Sequence, residues 1–156
     1  MATLKKGNSA PEFVLADQRE QTVRLSDYRG RKVLVYFYPK ANTPGCTIQA
    51  CSVRDNLAAL KTAGTDAVGI SPDQPRSLLA FDTKYNLGFP LLSDPDHAVA
   101  EAYGVWGEKR IMAKIGMGIT RSAFLVDEDG KLAGVWYKIS PADTVPKVKA
   151  TLENMV

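Results

Sequence analysis

The feature that most constrains the fold is a continuous apolar run, residues 33–38, rich in β-branched and aromatic side chains. A strand with one face in water alternates apolar and polar residues, so this unbroken run predicts a central strand buried on both faces. Pro39 follows the run and ends it. A sheet that is covered on both faces is therefore expected.

The rest of the chain alternates short extended and helical segments. Strands are predicted at 13–15, 22–25, 67–70, 90–92, 122–126 and 132–139. Helices are predicted at 48–63, 77–85, 98–103 and 145–155. In the last helix the residues expected to face the core are Val145, Val148, Leu152 and Met155.

This order of elements predicts an α/β fold, with a mixed central β-sheet flanked by helices on both faces. The polar residues 127–130 between the last two strands indicate a hairpin. A thioredoxin-like layout satisfies the order, although periodicity alone does not distinguish it from other α/β sandwiches.

Length and composition exclude several classes of protein. The 156 residues show no repeat and no flexible linker, so residues 1–156 are interpreted as one domain. Lys and Arg are scattered in a chain of net charge +3, which argues against nucleic-acid binding. No apolar stretch has the length of a membrane span, and the N-terminus lacks the apolar core of a signal peptide. A cytoplasmic protein that binds neither nucleic acid nor membrane is expected.

The two cysteines and the single histidine restrict the chemistry. A structural zinc site takes four Cys or His ligands, whereas Cys46, Cys51 and His97 are all that the chain contains. Two cysteines also do not make the disulfide framework of a small secreted protein. No metal and no cofactor are expected.

The segment that carries chemistry, residues 39–51, follows the central strand and opens a helix. Thr43 and Pro44 form a good helix start, with Thr at the N-cap and Pro at the first helical position. Cys46 then lies in the first turn, where backbone amides have no intrahelical acceptor. Such a position stabilises an anion and therefore favours the reactive thiolate.

The helix terminus alone is too weak to ionise a thiol fully at neutral pH. Lowering the pKa of a free thiol from about 8.5 to about 6 takes roughly 3.4 kcal/mol, at about 1.36 kcal/mol per unit. A helix terminus usually supplies about 0.3–1 kcal/mol and about 2 at most. A cation or further donors must therefore lie near Cys46, and the candidates are Lys40, Arg54, Arg110 and Arg121.

The second cysteine lies five positions after the first. In an intact helix the Cα atoms of Cys46 and Cys51 would be roughly 8.7 Å apart, whereas a disulfide requires about 7 Å or less. If the two thiols react together, the first helical turns must unwind. Thr43, Gly45 and Thr47 are weak interior helix formers, so local opening should cost little.

Other interpretations of this segment remain at this point. Most cysteines near a helix start are inert buried residues, which would make the chain a binding module without catalytic activity. A disulfide oxidoreductase acting on proteins is the other redox alternative, although the CxxC motif typical of that class is absent.

Taken together, Pro39, Thr43 and Cys46 fill the pattern PxxxTxxC, which resembles the active-site motif of the peroxiredoxins. With Cys51 five residues on, the segment resembles the bacterioferritin-comigratory, or Q-type, subfamily. The resemblance covers nearly the whole chain and includes residues 7–13, 25–30, 93–97, 103–109 and 121–127.

The resemblance implies a thioredoxin-dependent peroxidase on a thioredoxin-like fold. Cys46 would be the peroxidatic thiolate, which attacks hydrogen peroxide or an organic hydroperoxide and becomes a sulfenic acid. Cys51 would be the resolving thiol, forming an intramolecular disulfide that thioredoxin, or alternatively glutaredoxin, reduces. Because both thiols lie in one helix, resolution needs no second chain, and a monomer is expected.

The resemblance also assigns the surroundings of the sulfur. Thr43 and Arg121 would be the two polar partners of the site, and Pro39 would shield the sulfur from water. A threonine hydroxyl can donate to a thiolate and accept from a peroxide. A guanidinium is always charged and presents several donors in a fixed fork.

One segment departs from the subfamily pattern. Residues 111–118 are expected to form a loop before Arg121, and their sequence leaves substrate access and the preference among peroxides open. Met112 and Met117 could contact an alkyl group, but packing is the favoured role. His97 and Trp106 match the subfamily and are interpreted as structural residues.

Overall fold

A computed structural model of the chain describes residues 3–111 and 114–155. Its strands are β1 Val14–Ala16, β2 Thr22–Arg24, β3 Lys32–Phe37, β4 Thr65–Ser71, β5 Leu91–Ser93, β6 Trp106–Ile111, β7 Lys114–Ile119, β8 Ser122–Val126 and β9 Leu132–Trp136. Its helices are α1 Pro44–Thr62, α2 Pro75–Tyr85, α3 Ala98–Ala102 and α4 Thr144–Glu153, with a 3-10 turn at Leu25–Tyr28.

The main sheet is mixed and has the strand order β2-β1-β5-β4-β3-β8-β9. Strand β3 runs parallel to β4 and antiparallel to β8, and β4 runs parallel to β5. The remaining pairs are antiparallel: β1 with β2 and β8 with β9 form hairpins, and β1 also pairs with β5. The apolar run of β3 thus lies inside the sheet, as its sequence predicts.

Helices cover both faces of the sheet, which confirms the sequence prediction. On one face Leu34 and Tyr36 of β3 pack in a core cluster with the buried residues of α1, α2 and α4. On the other face Val33, Val35 and Phe37 pack with the buried residues of α3. Residues 33–38 are at most 1% exposed, because side chains of a strand alternate between two covered faces.

The segment expected to be a loop before Arg121 is instead an antiparallel hairpin, and that expectation is wrong. Strands β6 and β7 form a separate two-stranded sheet, in which Trp106 lies opposite Ile119 at one end and Ile111 lies opposite Lys114 at the other. Two glycines, Gly116 and Gly118, interrupt the alternation of β7 and hide it from sequence inspection. Met112 and Ala113, also part of that expectation, lie outside the described residues.

The inward orientation expected for Met155 is also wrong. Helix α4 ends at Glu153, so Met155 lies beyond the helix and is 41% exposed. The other three residues of the expected face, Val145, Val148 and Leu152, are buried. Within the residues described, no helix combines the length and the hydropathy that a membrane span requires.

Two tyrosine hydroxyls, one in β3 and one on the residue that follows it, are buried beneath α1. Tyr36 and Tyr38 have ring centroids 5.5 Å apart, and among the described residues neither hydroxyl has a hydrogen-bond partner. The ring of Tyr36 lies over Gly69 of β4, where an added Cβ would come within 2.8 Å of its Cζ. Burial raises the pKa of Tyr36 well above its usual range, so the hydroxyl is neutral at physiological pH.

Removing the unpartnered hydroxyl should stabilise the protein. We expect Tyr36→Phe to raise the free energy of unfolding by about 1 kcal/mol, because a buried polar group without a partner costs about 1–3 kcal/mol. The matched control is Tyr137→Phe, since that hydroxyl donates to the Tyr103 carbonyl (2.6 Å) and accepts from the Leu4 amide (2.9 Å). Urea denaturation should give shifts of opposite sign, and a loss of stability in both variants would contradict this account.

Candidate active site

Cys46 lies in the first turn of α1, at the third helical position. Thr43 is the N-cap residue and Pro44 the first residue of the helix. The first intrahelical bond runs from the Thr47 amide to the Thr43 carbonyl (2.8 Å), so the amides of Gly45 and Cys46 precede the hydrogen-bond ladder. The side chain of Cys46 is 2% exposed. A thiolate here would lie at the positive end of the helix dipole and almost out of water.

The hydroxyl of Thr43 donates its proton to the Lys40 carbonyl over 2.8 Å. It makes none of the described side-chain bonds to the helix amides, so Thr43 caps the helix through its backbone alone. With its proton committed, the hydroxyl still has lone pairs that can accept a hydrogen bond. Pro39 is half-buried and lies between β3 and this turn.

Arg121 brings a positive charge to the sulfur. It directly precedes β8, which pairs with β3, and its Nη1 lies 3.5 Å from the Cys46 Sγ. The same nitrogen donates to the Gln49 Oε1 over 2.8 Å. An added Cβ at Gly45 would come within 3.0 Å of the Arg121 Nη2, so the absence of a side chain at Gly45 leaves room for the guanidinium.

The other candidate cations lie elsewhere or outside the description. Lys40 is exposed. Arg54 is bound by Asp55 (2.9 Å) and by the Tyr85 carbonyl (2.7 Å). The side chain of Arg110 lies outside the described residues. Of the four candidates from the sequence, Arg121 is therefore the one for which the structure gives a contact with the sulfur.

Lys109 is a further cation that sequence reasoning did not propose for the site. Its side chain crosses Gly118, where a Cβ would lie 2.7 Å from the Lys109 Cδ, and its Nζ donates to the Ile119 carbonyl over 2.6 Å. Burial and the charge of Arg121 lower the pKa of Lys109, while the charge of Cys46 opposes that shift. The unexpected β6–β7 hairpin thus carries a second cation whose charge interacts with those of Arg121 and Cys46.

The loop between β3 and α1 is held by a carboxylate that the sequence did not indicate. Asp73, which follows β4, accepts a bond from the Ala41 amide over 2.7 Å. Its orientation is fixed by the Ser71 hydroxyl, which donates to the same oxygen over 2.8 Å. The loop that carries Pro39 and Thr43 is therefore anchored to the end of the neighbouring strand.

Both cysteines are free thiols, and α1 is continuous across them. Cys46 belongs to the buried cluster beneath α1, and the half-buried Cys51 packs against the same cluster. The arrangement is that of a reduced, fully helical state. His97 and Trp106 lie away from the sulfur contacts: His97 is the N-cap of α3, and its ring stacks on Trp106 at 3.6 Å.

Gln49 is the most informative residue that sequence reasoning missed. It is fully buried, and it contacts Arg121 and Thr144 at once. Its spacing of three residues from Cys46 was an available signal, because residues three apart share one face of a helix. Among the described residues no group of three or more His, Cys, Asp or Glu side chains could hold a metal ion.

A buried cysteine in the first turn of a helix, contacted by a guanidinium on a mixed sheet, is an arrangement typical of thiol-dependent redox enzymes. The model of the AhpC/TSA family matches residues 6–135 of the chain. Peroxiredoxin Bcp of Escherichia coli is 55% identical over 136 residues, which cover 87% of both chains. A putative peroxiredoxin bcp of Haemophilus influenzae is 52% identical over 143 residues, 92% of both.

The similar solved structures are also peroxiredoxins. Peroxidoxin BcpB of Mycobacterium tuberculosis has a TM-score of 0.87 at 34% identity, covering 98% of this chain and 99% of that one. Peroxiredoxin Q of Xanthomonas campestris has a TM-score of 0.86 at 33% identity, covering 91% and 90%. The chain therefore belongs to the AhpC/TSA family, as a peroxiredoxin of the Bcp or Q type with the thioredoxin-like fold. It is an enzyme of the peroxidase class.

Proposed function

We propose that the chain reduces hydrogen peroxide and organic hydroperoxides through Cys46, resolves the product with Cys51, and is recycled by thioredoxin. The observation that carries the proposal is the 3.5 Å contact between the Arg121 Nη1 and the buried Cys46 Sγ. The name of a related structure from Xanthomonas campestris, a bacterioferritin comigratory protein, refers to alkyl peroxide reduction. That relationship supports organic hydroperoxides as one substrate class.

In the first step the Cys46 thiolate attacks the terminal oxygen of the hydroperoxide. The S–O bond forms as the O–O bond breaks, Cys46 becomes a sulfenic acid, and the leaving alkoxide or hydroxide takes a proton to give an alcohol or water. Arg121 would stabilise the negative charge as it passes from sulfur to the leaving oxygen. Thr43 would accept the hydrogen bond of the incoming hydroperoxide, because its own proton is held by the Lys40 carbonyl.

In the second step the Cys51 thiolate attacks the Cys46 sulfur: the S–S bond forms as the S–O bond breaks, and the sulfenic oxygen leaves as hydroxide, which takes a proton to become water. Both sulfurs lie on one helix, so the first turns of α1 must open before the disulfide can form. A dithiol such as thioredoxin then reduces the disulfide by thiol–disulfide exchange and takes up the two oxidising equivalents. Glutaredoxin is the alternative reductant.

We further propose that the enzyme acts as a monomer in the cytoplasm. Both reacting thiols belong to a single chain, so no residue of a second copy is needed for resolution. A cycle that ends in a disulfide needs a reducing compartment, and the cytoplasm maintains dithiol reductants. Pro39, half-buried beside the loop, would limit the access of water to the sulfur.

The test is an assay that couples peroxide consumption to NADPH oxidation through thioredoxin and thioredoxin reductase. The wild-type enzyme should turn over many equivalents of peroxide. Cys51→Ser should reduce about one equivalent per chain and then stop, because the sulfenic acid has no partner for the disulfide that thioredoxin recognises. A wild-type protein that shows no peroxide-dependent NADPH oxidation with either thioredoxin or glutaredoxin would refute the proposed function.

Cys51→Ser is also the control for helix opening. Peroxide treatment of the wild-type enzyme should increase hydrogen exchange of the amides in residues 43–54, because the disulfide cannot form in the intact helix. The same treatment of Cys51→Ser should leave that exchange near its reduced level. Equal protection of these amides in the reduced and the oxidised wild-type enzyme would contradict the opening step.

A further inference from the structure

A chain of hydrogen bonds, of which the middle one is buried, continues beyond Arg121 to the C-terminal helix. The Gln49 Oε1 accepts from the Arg121 Nη1 (2.8 Å), and the Gln49 Nε2 donates to the Thr144 hydroxyl oxygen (3.0 Å). The Thr144 hydroxyl donates in turn to the Ser140 carbonyl (3.0 Å). Gln49 and Thr144 are both 0% exposed, so bulk water does not reach either side chain.

The direction of these bonds matters because the two ends of an amide differ. A guanidinium can only donate hydrogen bonds, so Gln49 must present its oxygen to Arg121. If the amide were rotated by half a turn, its NH₂ group would face the Arg121 donors, and buried donors would lose their acceptors. Some group must therefore fix which end of the Gln49 amide faces the site.

Thr144 fixes that choice. A threonine hydroxyl has one proton, and the Ser140 carbonyl takes it, so only lone pairs remain to face Gln49. An oxygen that only accepts pairs with the NH₂ end of the amide and directs the other end to Arg121. We infer that Thr144, on α4, is a positioning residue that orients Gln49 and thereby holds the Arg121 guanidinium against the Cys46 sulfur.

If the Thr144 hydroxyl only stabilised its own helix, the bond to the carbonyl four residues earlier would be enough, and no bond to Gln49 would be needed. Thr151 on the same helix makes the same kind of bond to the carbonyl four residues earlier, Lys147, and that bond lies at the surface. Thr144 adds to this local bond a second one that joins two helices across 95 positions of sequence. The docking of α4 on α1 is thereby linked to the placement of Arg121.

The inference rests on the proposed role of Arg121 in the peroxide step. Without the Thr144 hydroxyl, Gln49 would populate both amide orientations, and Arg121 would be held beside the sulfur for a smaller part of the time. We expect Thr144→Val to lower kcat/KM for peroxide by about 5- to 10-fold, the size of one lost hydrogen bond. Thr144→Ser should recover most of the wild-type rate.

The experiment measures kcat/KM for hydrogen peroxide in Thr144→Val, Thr144→Ser and the matched control Thr151→Val, together with urea midpoints for each. Thr151→Val should match the wild-type rate. The decisive comparison repeats Thr144→Val in Arg121→Gln and in Gln49→Glu. Thr144→Val should have little further effect on kcat/KM in either background. Arg121→Gln lacks the guanidinium that Gln49 positions, and Gln49→Glu offers an acceptor oxygen at both ends of the side chain.

The outcomes separate this inference from the proposed function. An inactive wild-type enzyme refutes the proposed function itself. An active wild-type enzyme with an equally active Thr144→Val refutes only the role of Thr144. A loss in Thr144→Val that persists undiminished in Arg121→Gln also refutes it, since the effect would then bypass Arg121. If Thr144→Val does not fold, Thr144→Ala, with no added methyl to accommodate, carries the same expectations.

Discussion

Cys46→Ser should abolish peroxide turnover, leaving only the background rate of the uncatalysed reaction. A serine hydroxyl is nearly isosteric with the thiol, so it should keep its place in the first turn of α1 and its neighbours there. It is not ionised at neutral pH, and it cannot give up to the peroxide the two electrons that sulfur loses when it becomes a sulfenic acid. The assay with thioredoxin, thioredoxin reductase and NADPH measures the loss directly.

The control for this variant separates chemistry from folding. Urea denaturation of Cys46→Ser should give a midpoint close to that of the reduced wild-type protein, because the substitution changes little volume at a site that is 2% exposed and the Arg121 Nη1 that contacts the sulfur remains as a donor to the hydroxyl. Mass spectrometry after peroxide treatment should find an added oxygen in Cys51→Ser, but none in Cys46→Ser. Substantial turnover by a folded Cys46→Ser would contradict the assignment of Cys46 as the reacting group.

The parts of the fold and the site that the sequence predicts are those that local rules determine. The unbroken apolar run predicts β3, because burial on both faces removes the need for polar residues. Thr43 and Pro44 predict the start of α1, and therefore the position of Cys46 in its first turn. Each of these inferences needs only a few neighbouring residues.

The parts that the sequence does not reveal depend on contacts between distant segments. Arg121 contacts Cys46 although the two residues are 75 positions apart in the sequence. Residue type alone could not distinguish Arg121 from Lys40 or Arg54, and only the resemblance to a family indicated Arg121. Nothing in the sequence around Thr144 indicates that its hydroxyl binds Gln49, which lies 95 positions earlier. The β6–β7 hairpin was missed for a different reason: the glycines of β7 carry no side chain to show its alternation.

Arg121→Gln should lower the second-order rate of the first oxidation by about 100- to 1000-fold, the range found when one preorganised donor to a developing charge is removed. Glutamine keeps hydrogen-bond donors but loses the positive charge, so neither the thiolate nor the leaving oxygen is stabilised. Arg121→Lys keeps the charge without the fork and should fall between the wild-type rate and that of Arg121→Gln. Stopped-flow measurement of the reduced enzyme with peroxide isolates this step from recycling.

The matched control for this prediction is Arg54→Gln. Arg54 lies on the same helix as Cys46, but its guanidinium is held by Asp55 and by the Tyr85 carbonyl, and the sulfur is not among its described contacts. Replacing Arg54 removes one positive charge, as replacing Arg121 does. If general electrostatic stabilisation of the thiolate controlled the rate, both variants would therefore react more slowly to the same extent. We expect Arg54→Gln to react at nearly the wild-type rate, because the effect of Arg121 depends on a donor placed 3.5 Å from the sulfur. Equal losses in the two variants would show that net charge, and not that contact, controls the reaction.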